Sequence, residues 1–345
     1  MNIFLNIFFL FIFSVFSFYL FTKKKINIFS TIFIKKKSDH NMHSYLILQN
    51  GGLIIIFFFI FAILINYFNN QEINDIFNKI PRPYILPFAI IVLTILSIID
   101  FKKNINPVIR LIVQFVTVFI SLTLINFPLI DVNILPLKFQ YLLTIIFWIY
   151  IINITNFIDG IDGMATINIL GVTLCIICLF TFGSYDKNLI FFISIILLPI
   201  LSAFLIFNWP NAKFFMGDCG AIPLGFLVGY LLINLLAINQ YFIFLISFLY
   251  PILDVTITLY KKTLKKFLPW ARLFDYSFLQ PVLKGNKKHF FVLKFSIMLI
   301  AINIISIILK IKYHFNSIIL FLIILILNLL TIYYFNKFEK LKRVN

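Results

Sequence analysis

Apolar runs of near-constant length alternate with short polar stretches along almost the whole chain. They fall at roughly residues 2–21, 52–67, 84–99, 108–126, 139–155, 167–182, 189–207, 220–237, 240–259, 291–309 and 316–335. Each approaches the ~20 residues a helix needs to cross about 30 Å of hydrocarbon. In lipid a segment must satisfy its own backbone N–H and C=O groups, so helices are expected. The pattern predicts an all-α, polytopic integral membrane protein with about eleven transmembrane helices. Residues 1–345 read as a single membrane domain without a soluble module, a long linker or a clear internal repeat. The first run has no basic residue before it, and Lys23, Lys24 and Lys25 follow it. A secretory leader has the reverse arrangement, so a retained helix is expected.

Basic residues concentrate in alternate loops: 22–50, 100–107, the long loop 260–290 and the C-terminal tail. The intervening loops, such as NNQEINDIFNK and FGSYDKN, mix acids and bases. By the bias of Lys and Arg towards the cytoplasm, the N-terminus is expected outside and the C-terminus inside. Every polar cluster described below then falls on the cytoplasmic face.

Composition strengthens the membrane reading. Hydrophobic residues make up 62% of the 345 and charged residues only 12%, against about half and a quarter in a soluble domain. The net charge of +17 has two readings: a bias towards Lys, Asn, Ile and Phe from AT-rich codons, or basic loops facing an anionic leaflet and anionic substrates. A nucleic-acid partner is not expected, because the basic residues lie between spans rather than on one module. Cys175 and Cys178 sit within GVTLCIICLF and, with Cys219, read as small apolar residues rather than redox or metal groups.

Five cytoplasmic clusters carry candidate chemistry. HSYLILQNGGL, from His43, places Asn50, Gly51 and Gly52 before a helix, where backbone N–H groups can approach a phosphate or simply form a turn. In SIIDFKKNINPVIRLIVQ, Asp100 closes an apolar run and Pro107 suits a helix start; the carboxylate serves a metal, a proton or a cap. NITNFIDGIDGMA holds Asn153, Asn156, Asp159 and Asp162. The first three are spaced to share a helical face, which Asp162 extends if the helix continues past Gly160. So many oxygen donors beside apolar helices suit Mg²⁺ shared with waters and phosphates. FNWPNAKFFMGDCGAIPLGF contributes Asn208, Lys213 and Asp218, and Lys213 can neutralise a phosphate. In YPILDVTITLYKK, Asp254 is either a partner of Lys261 and Lys262 or a sugar contact.

NITNFIDGIDGMA and FNWPNAKFFMGDCGA resemble the signatures NxxNxxDGxDGLA and FNxxPAKxFMGDxGS of the polyprenyl-phosphate N-acetylhexosamine-1-phosphate transferases (glycosyltransferase family 4). PILD at 251–254 is similar to the stretch that precedes their last cytoplasmic loop. The resemblance covers about residues 40–260; the basic loop 260–290 diverges. The chain departs from the family in carrying Phe101 after Asp100 in place of a second aspartate. It also has Ala221 for the closing serine, Asn211 for a proline, QNGG for PRGGG, and only His289 where the family has a histidine-rich motif.

The resemblance implies transfer of a HexNAc-1-phosphate from a UDP-sugar to a polyprenyl phosphate, with release of UMP, at the inner face of a bacterial cytoplasmic membrane. It implies Mg²⁺, or Mn²⁺, on Asp218 and Asn156. Asp159 and Asp162 would hold the metal shell or the nucleotide, and Asp100 would orient or deprotonate the lipid phosphate. Asn153, Asn208, Lys213, Asp254 and His43 are expected as substrate contacts, and a homodimer is a possible assembly. The rival expectations are a catalytically impaired relative, for which Phe101 argues, and a transporter. Acids at helix ends on one face, rather than at the midplane, argue against the transporter.

Overall fold

A computed structural model describes residues 3–23, 49–69, 71–78, 82–122, 136–267, 276–285 and 287–341. Within them the helices in chain order are α1 (Ile3–Lys23), α2 (Gly52–Asn69), α3 (Gln71–Asn78), α4 (Ile85–Lys103), α5 (Pro107–Ser121), α6 (Leu137–Phe157) and α7 (Met164–Phe182). They continue with α8 (Leu189–Asn208), α9 (Asp218–Ala237), α10 (Tyr241–Ser247) and α11 (Leu249–Leu264). A 3₁₀ turn (Ser277–Leu279), α12 (Gln280–Leu283), α13 (His289–Tyr313) and α14 (Ser317–Leu341) complete the chain. Among the described residues eight helices are long and apolar enough to cross a membrane: α2, α4, α6, α7, α8, α9, α13 and α14. The bent pair α10–α11 makes a ninth if it is one span, while α5 and the Ile7–Thr22 part of α1 are shorter apolar helices. Among the described residues each apolar run is helical apart from the break at Phe248, and the chain is a helical, multi-pass membrane protein.

Helix α9 is the axis of the bundle. It packs against α6, α4 and α2, and nearly all of its residues are buried. Trp148 of α6 stacks on Phe226 of α9 with ring centroids 4.9 Å apart and donates its indole N–H to the Phe226 carbonyl at 2.8 Å. That bond satisfies the one polar atom of a fully buried ring. A second layer, α1 and α7 on α8 with α13 on α7, completes the core. Helix α5 is peripheral and inverts the soluble pattern. Its Ile109, Ile112, Phe115 and Phe119 are exposed, whereas Gln114, Thr117 and Ser121 point inward. Lipid is the apolar solvent here, so polar side chains turn towards other helices.

Local signals set the corner that matters most. Asn104 adopts φ 49° and closes α4 by donating its N–H to the Asp100 carbonyl. Two residues on, the Asn106 side chain caps α5 through the Val108 N–H, with Pro107 in the first turn. The chain therefore reverses within three residues and holds Asp100 beside the start of α5.

The structure differs from the sequence reading in three places. The run expected as one span at 240–259 bends by 60° at Phe248. Pro251 falls in the first turn of α11, where a missing N–H costs nothing. NNQEINDIFNK is partly helical: α3 buries Ile73 and Phe77 and exposes the polar remainder. Helix α6 stops at Phe157, so Asp159 and Asp162 lie in a turn and do not extend the helical face of Asn153 and Asn156.

Candidate active site

Three polar segments interlock at one end of the bundle: the turn before α2, the turn 158–163 between α6 and α7, and the loop 209–217 between α8 and α9. Gly51 and Gly52 donate their N–H groups to the carbonyls of Phe215 and Met216 at 2.8 and 3.0 Å. A Cβ on Gly52 would lie 2.2 Å from the Gly220 Cα, so the backbones of α2 and α9 touch where they start. The two amides that the sequence offered to a phosphate are thus used within the protein. Here the glycines provide close packing, not an anion cradle.

The carboxylates sort by how their oxygens are used. Asp100 is buried; one oxygen accepts the Ile105 N–H at 2.7 Å and the other faces the Arg110 guanidinium at 2.8 Å. Arg110 also reaches Asp218 at 3.5 Å, forming a bridge between α4 and α9. Asp162 is buried, and its Oδ2 accepts the Ala212 N–H at 3.2 Å and lies 3.2 Å from His289 Nδ1. Asp159 accepts the Gly217 N–H at 3.0 Å. Burial, reinforced by the charges of Asp218 and Asp162, pushes its carboxyl up to about 8 against the opposing pull of that N–H. Asp218 opens α9 behind Gly217 and is the most open of the set, with its side chain 43% exposed. The positive end of the helix dipole favours an anion there.

Other expected site residues build the frame. The Asn208 side-chain oxygen accepts from the Gly163 N–H (3.0 Å) and the Thr166 hydroxyl (2.9 Å), and its amide donates to the Phe214 carbonyl (2.8 Å). Gly163 itself has φ +75°, the left-handed conformation that starts α7. Asn208 therefore ties both signature loops together and has little capacity left for substrate. Asn153 donates to Gln114 on α5 at 2.9 Å. Asn156 stands in the last turn of α6, and its carbonyl accepts the Asp159 N–H at 3.4 Å. Lys213 is exposed on the loop, its backbone N–H bonded to the Phe207 carbonyl at 2.8 Å. Asp254 feels the charge of Lys261, one of the two lysines its spacing offered, and is held closely by another segment. It accepts the N–H and hydroxyl of Ser277 and the Phe278 N–H, pinning part of the basic loop onto α11. His43 lies outside the described residues.

Two participants were not among the expected site residues. Arg110 is the sole basic residue of α5, and a charge inside an apolar helix is itself a functional signal. His289, at the start of α13, reaches Asp162 across 127 positions of sequence, which no local pattern announces. Among the described residues, no three His, Cys, Asp or Glu side chains gather as a metal-binding group.

The arrangement defines a membrane protein with an acidic, arginine-bridged cluster at the ends of its helices. The profile of glycosyl transferase family 4 matches residues 84–236, the stretch that supplies Asp100, Arg110, Asp159, Asp162 and Asp218. It is 25% identical over 268 residues to a probable undecaprenyl-phosphate N-acetylglucosaminyl 1-phosphate transferase of Bacillus subtilis, covering 74% of this chain and 68% of that protein. It is 39% identical over 105 residues to the phospho-N-acetylmuramoyl-pentapeptide-transferase of Staphylococcus aureus strain JH9, covering 30% of this chain and 32% of the relative. The chain thus spans about a third of the staphylococcal relative's length.

Proposed function

We propose that the protein transfers a HexNAc-1-phosphate from a UDP-sugar to a polyprenyl phosphate and releases UMP, as the first membrane step of a cell-envelope glycan such as lipopolysaccharide. The observation that carries this reading is the convergence of Asp159, Asp162 and Asp218 with Arg110 where α5, α6 and α9 meet at one end of the bundle. Such a site must hold two phosphorylated reactants together against their repulsion. An acceptor phosphate oxygen attacks the sugar-bearing phosphorus, the bond to the nucleotide phosphate breaks, and UMP leaves with the electron pair. A phosphate monoester with a second pKa near 6 is already mostly ionised at neutral pH. The acceptor therefore needs no strong base, which fits an Asp100 committed to Ile105 and Arg110 and a Phe101 that cannot take a proton.

Magnesium fits the donors present. It commonly takes one or two protein carboxylates and completes its shell with water and substrate phosphates. Asp218 and Asn156 are the residues that would hold it, with Asp159, whose ionisation burial and then its acidic neighbours oppose, gaining most from a cation. When bound, the ion supplies charge neutralisation for the pyrophosphate. Arg110 contributes fixed positive charge beside Asp218, and Lys213 brings an exposed ammonium to the rim.

The same reading sets all eleven apolar helices across the bacterial cytoplasmic membrane, N-terminus outside and C-terminus inside, with the site on the cytoplasmic face and a homodimer among the assemblies it allows. Purified protein with Mg²⁺ and undecaprenyl phosphate, offered a panel of UDP-HexNAc donors, should release UMP with at least one of them. Phe101 favours one second reading, a catalytically silent relative, and no release with any donor would favour it.

A further inference from the structure

The first two turns of α13 form a ridge seated on both signature loops. His289 meets Asp162 at 3.2 Å. Phe290 packs on Trp209 of the 209–217 loop, ring centroids 5.6 Å apart. Leu293 lies beneath Gly163, where an added Cβ would stand 3.1 Å from its Cδ1. Ser296 donates to the Met164 sulfur at 3.4 Å. Positions 289, 293 and 296 share a helical face, so the four contacts belong to one docking surface. Asp162 is its polar centre: the oxygen facing His289 also accepts the Ala212 N–H, and Ala212 lies in the loop that delivers Asp218.

We infer that His289 is a positioning residue for the transfer reaction. Through Asp162 it fixes the 209–217 loop, and with it Asp218, and so couples the last helix pair to the catalytic turn. This rests on the transferase reading. Nδ1 stands within ion-pair reach of the Asp162 carboxylate at 3.2 Å, so a side chain that presents an N–H dipole to the same oxygen can replace it in part. The imidazole is 13% exposed and Asp162 2% exposed, which leaves the contact little screened by solvent.

The test compares wild type, His289→Ala and His289→Gln in the UMP-release assay, with hydrogen exchange of the segment containing Ala212 measured on the same preparations. His289→Ala should lower kcat about tenfold while donor KM changes less than about twofold, the signature of lost positioning rather than lost binding. His289→Gln should recover to within about threefold of wild type, as its amide keeps a donor for Asp162. Exchange near Ala212 should accelerate in His289→Ala and return towards wild type in His289→Gln. Active wild type with unchanged kcat in His289→Ala, or with glutamine no better than alanine, would overturn the assignment, as would a change confined to KM. An inactive wild type counts against the transferase reading instead. In that case exchange decides this inference alone, and unaltered exchange near Ala212 in both variants would refute it.

Discussion

The carboxylates of the α4–α5 corner and of the α11 anchor differ from those of the α6–α9 seam, although the sequence writes them all as aspartate. Asp100 and Asp254 are enclosed, and both oxygens of each are bonded to backbone, hydroxyl or guanidinium groups. At the α6–α9 seam, the pKa of Asp159 is raised chiefly by burial and further by the Asp218 charge, and Asp218 is partly exposed beside Arg110. The first pair fixes the shape of the site; in the second, Asp218 keeps a partly exposed carboxylate and Asp159 holds a proton that a bound cation would displace. A carboxylate that has spent its oxygens on the fold is a poor metal ligand or base, so position in the hydrogen-bond network, not residue type, separates frame from chemistry.

Substitutions can break this division. Asp218→Asn should give the largest effect, a fall in UMP release of about a hundredfold or more, with little change in thermal stability in detergent. Unchanged turnover would remove Asp218 from the working group. Asp254→Ala should do the reverse. It leaves the Ser277 and Phe278 donors buried without their acceptor, costing about 2–4 kcal/mol of stability, read as a lower melting temperature. The molecules that stay folded should lose far less turnover than Asp218→Asn does.

Asp100→Ala should fall between them. It frees Arg110 from α4 and abandons the Ile105 N–H, so both a loss of about 2 kcal/mol and about a tenfold fall in turnover are expected. A variant that loses stability alone would reduce Asp100 to a cap. The last test concerns pH. The Asp159 carboxyl ionises at about 8 in the fold against 3.8 for a free side chain, so the native state holds a proton that the unfolded chain has lost. Stability of the metal-free protein should therefore decline as pH rises through that window. Mg²⁺ or Asp159→Asn should flatten the slope, and a melting temperature that rises with pH in wild type but not in Asp159→Asn would contradict the sign.

The apolar runs are legible because bilayer thickness fixes their length, and their described residues are helical apart from the break at Phe248. What escaped depends on contacts distant in sequence or on amphipathicity too short to count. Ile73 and Phe77, one turn apart, were the only trace of α3. Pro251 marked the break at Phe248, but a proline near a helix start and a proline within a span look alike in a string of letters. In the site, NITNFIDGIDGMA and FNWPNAKFFMGDCGA pointed to the right loops and mixed two kinds of residue. Asn208 and Asp254 stood out because they are polar in apolar surroundings, and the fold spends them on Gly163, Thr166, Phe214, Ser277 and Phe278. Arg110 was visible as the lone charge of α5, yet its bridge from Asp100 to Asp218 exists only once α4 and α9 are neighbours.

The seam where Gly52 meets Gly220 has a consequence for biogenesis. The amides at 51 and 52 have their acceptors at 215 and 216, so α2 enters the bilayer long before the ribosome has made the strand of backbone that completes it. Until α9 arrives, the early helices must wait with that edge unsealed. A bulkier side chain at position 52 would leave α2 correctly inserted and yet permanently unjoined, a failure of late assembly rather than of insertion.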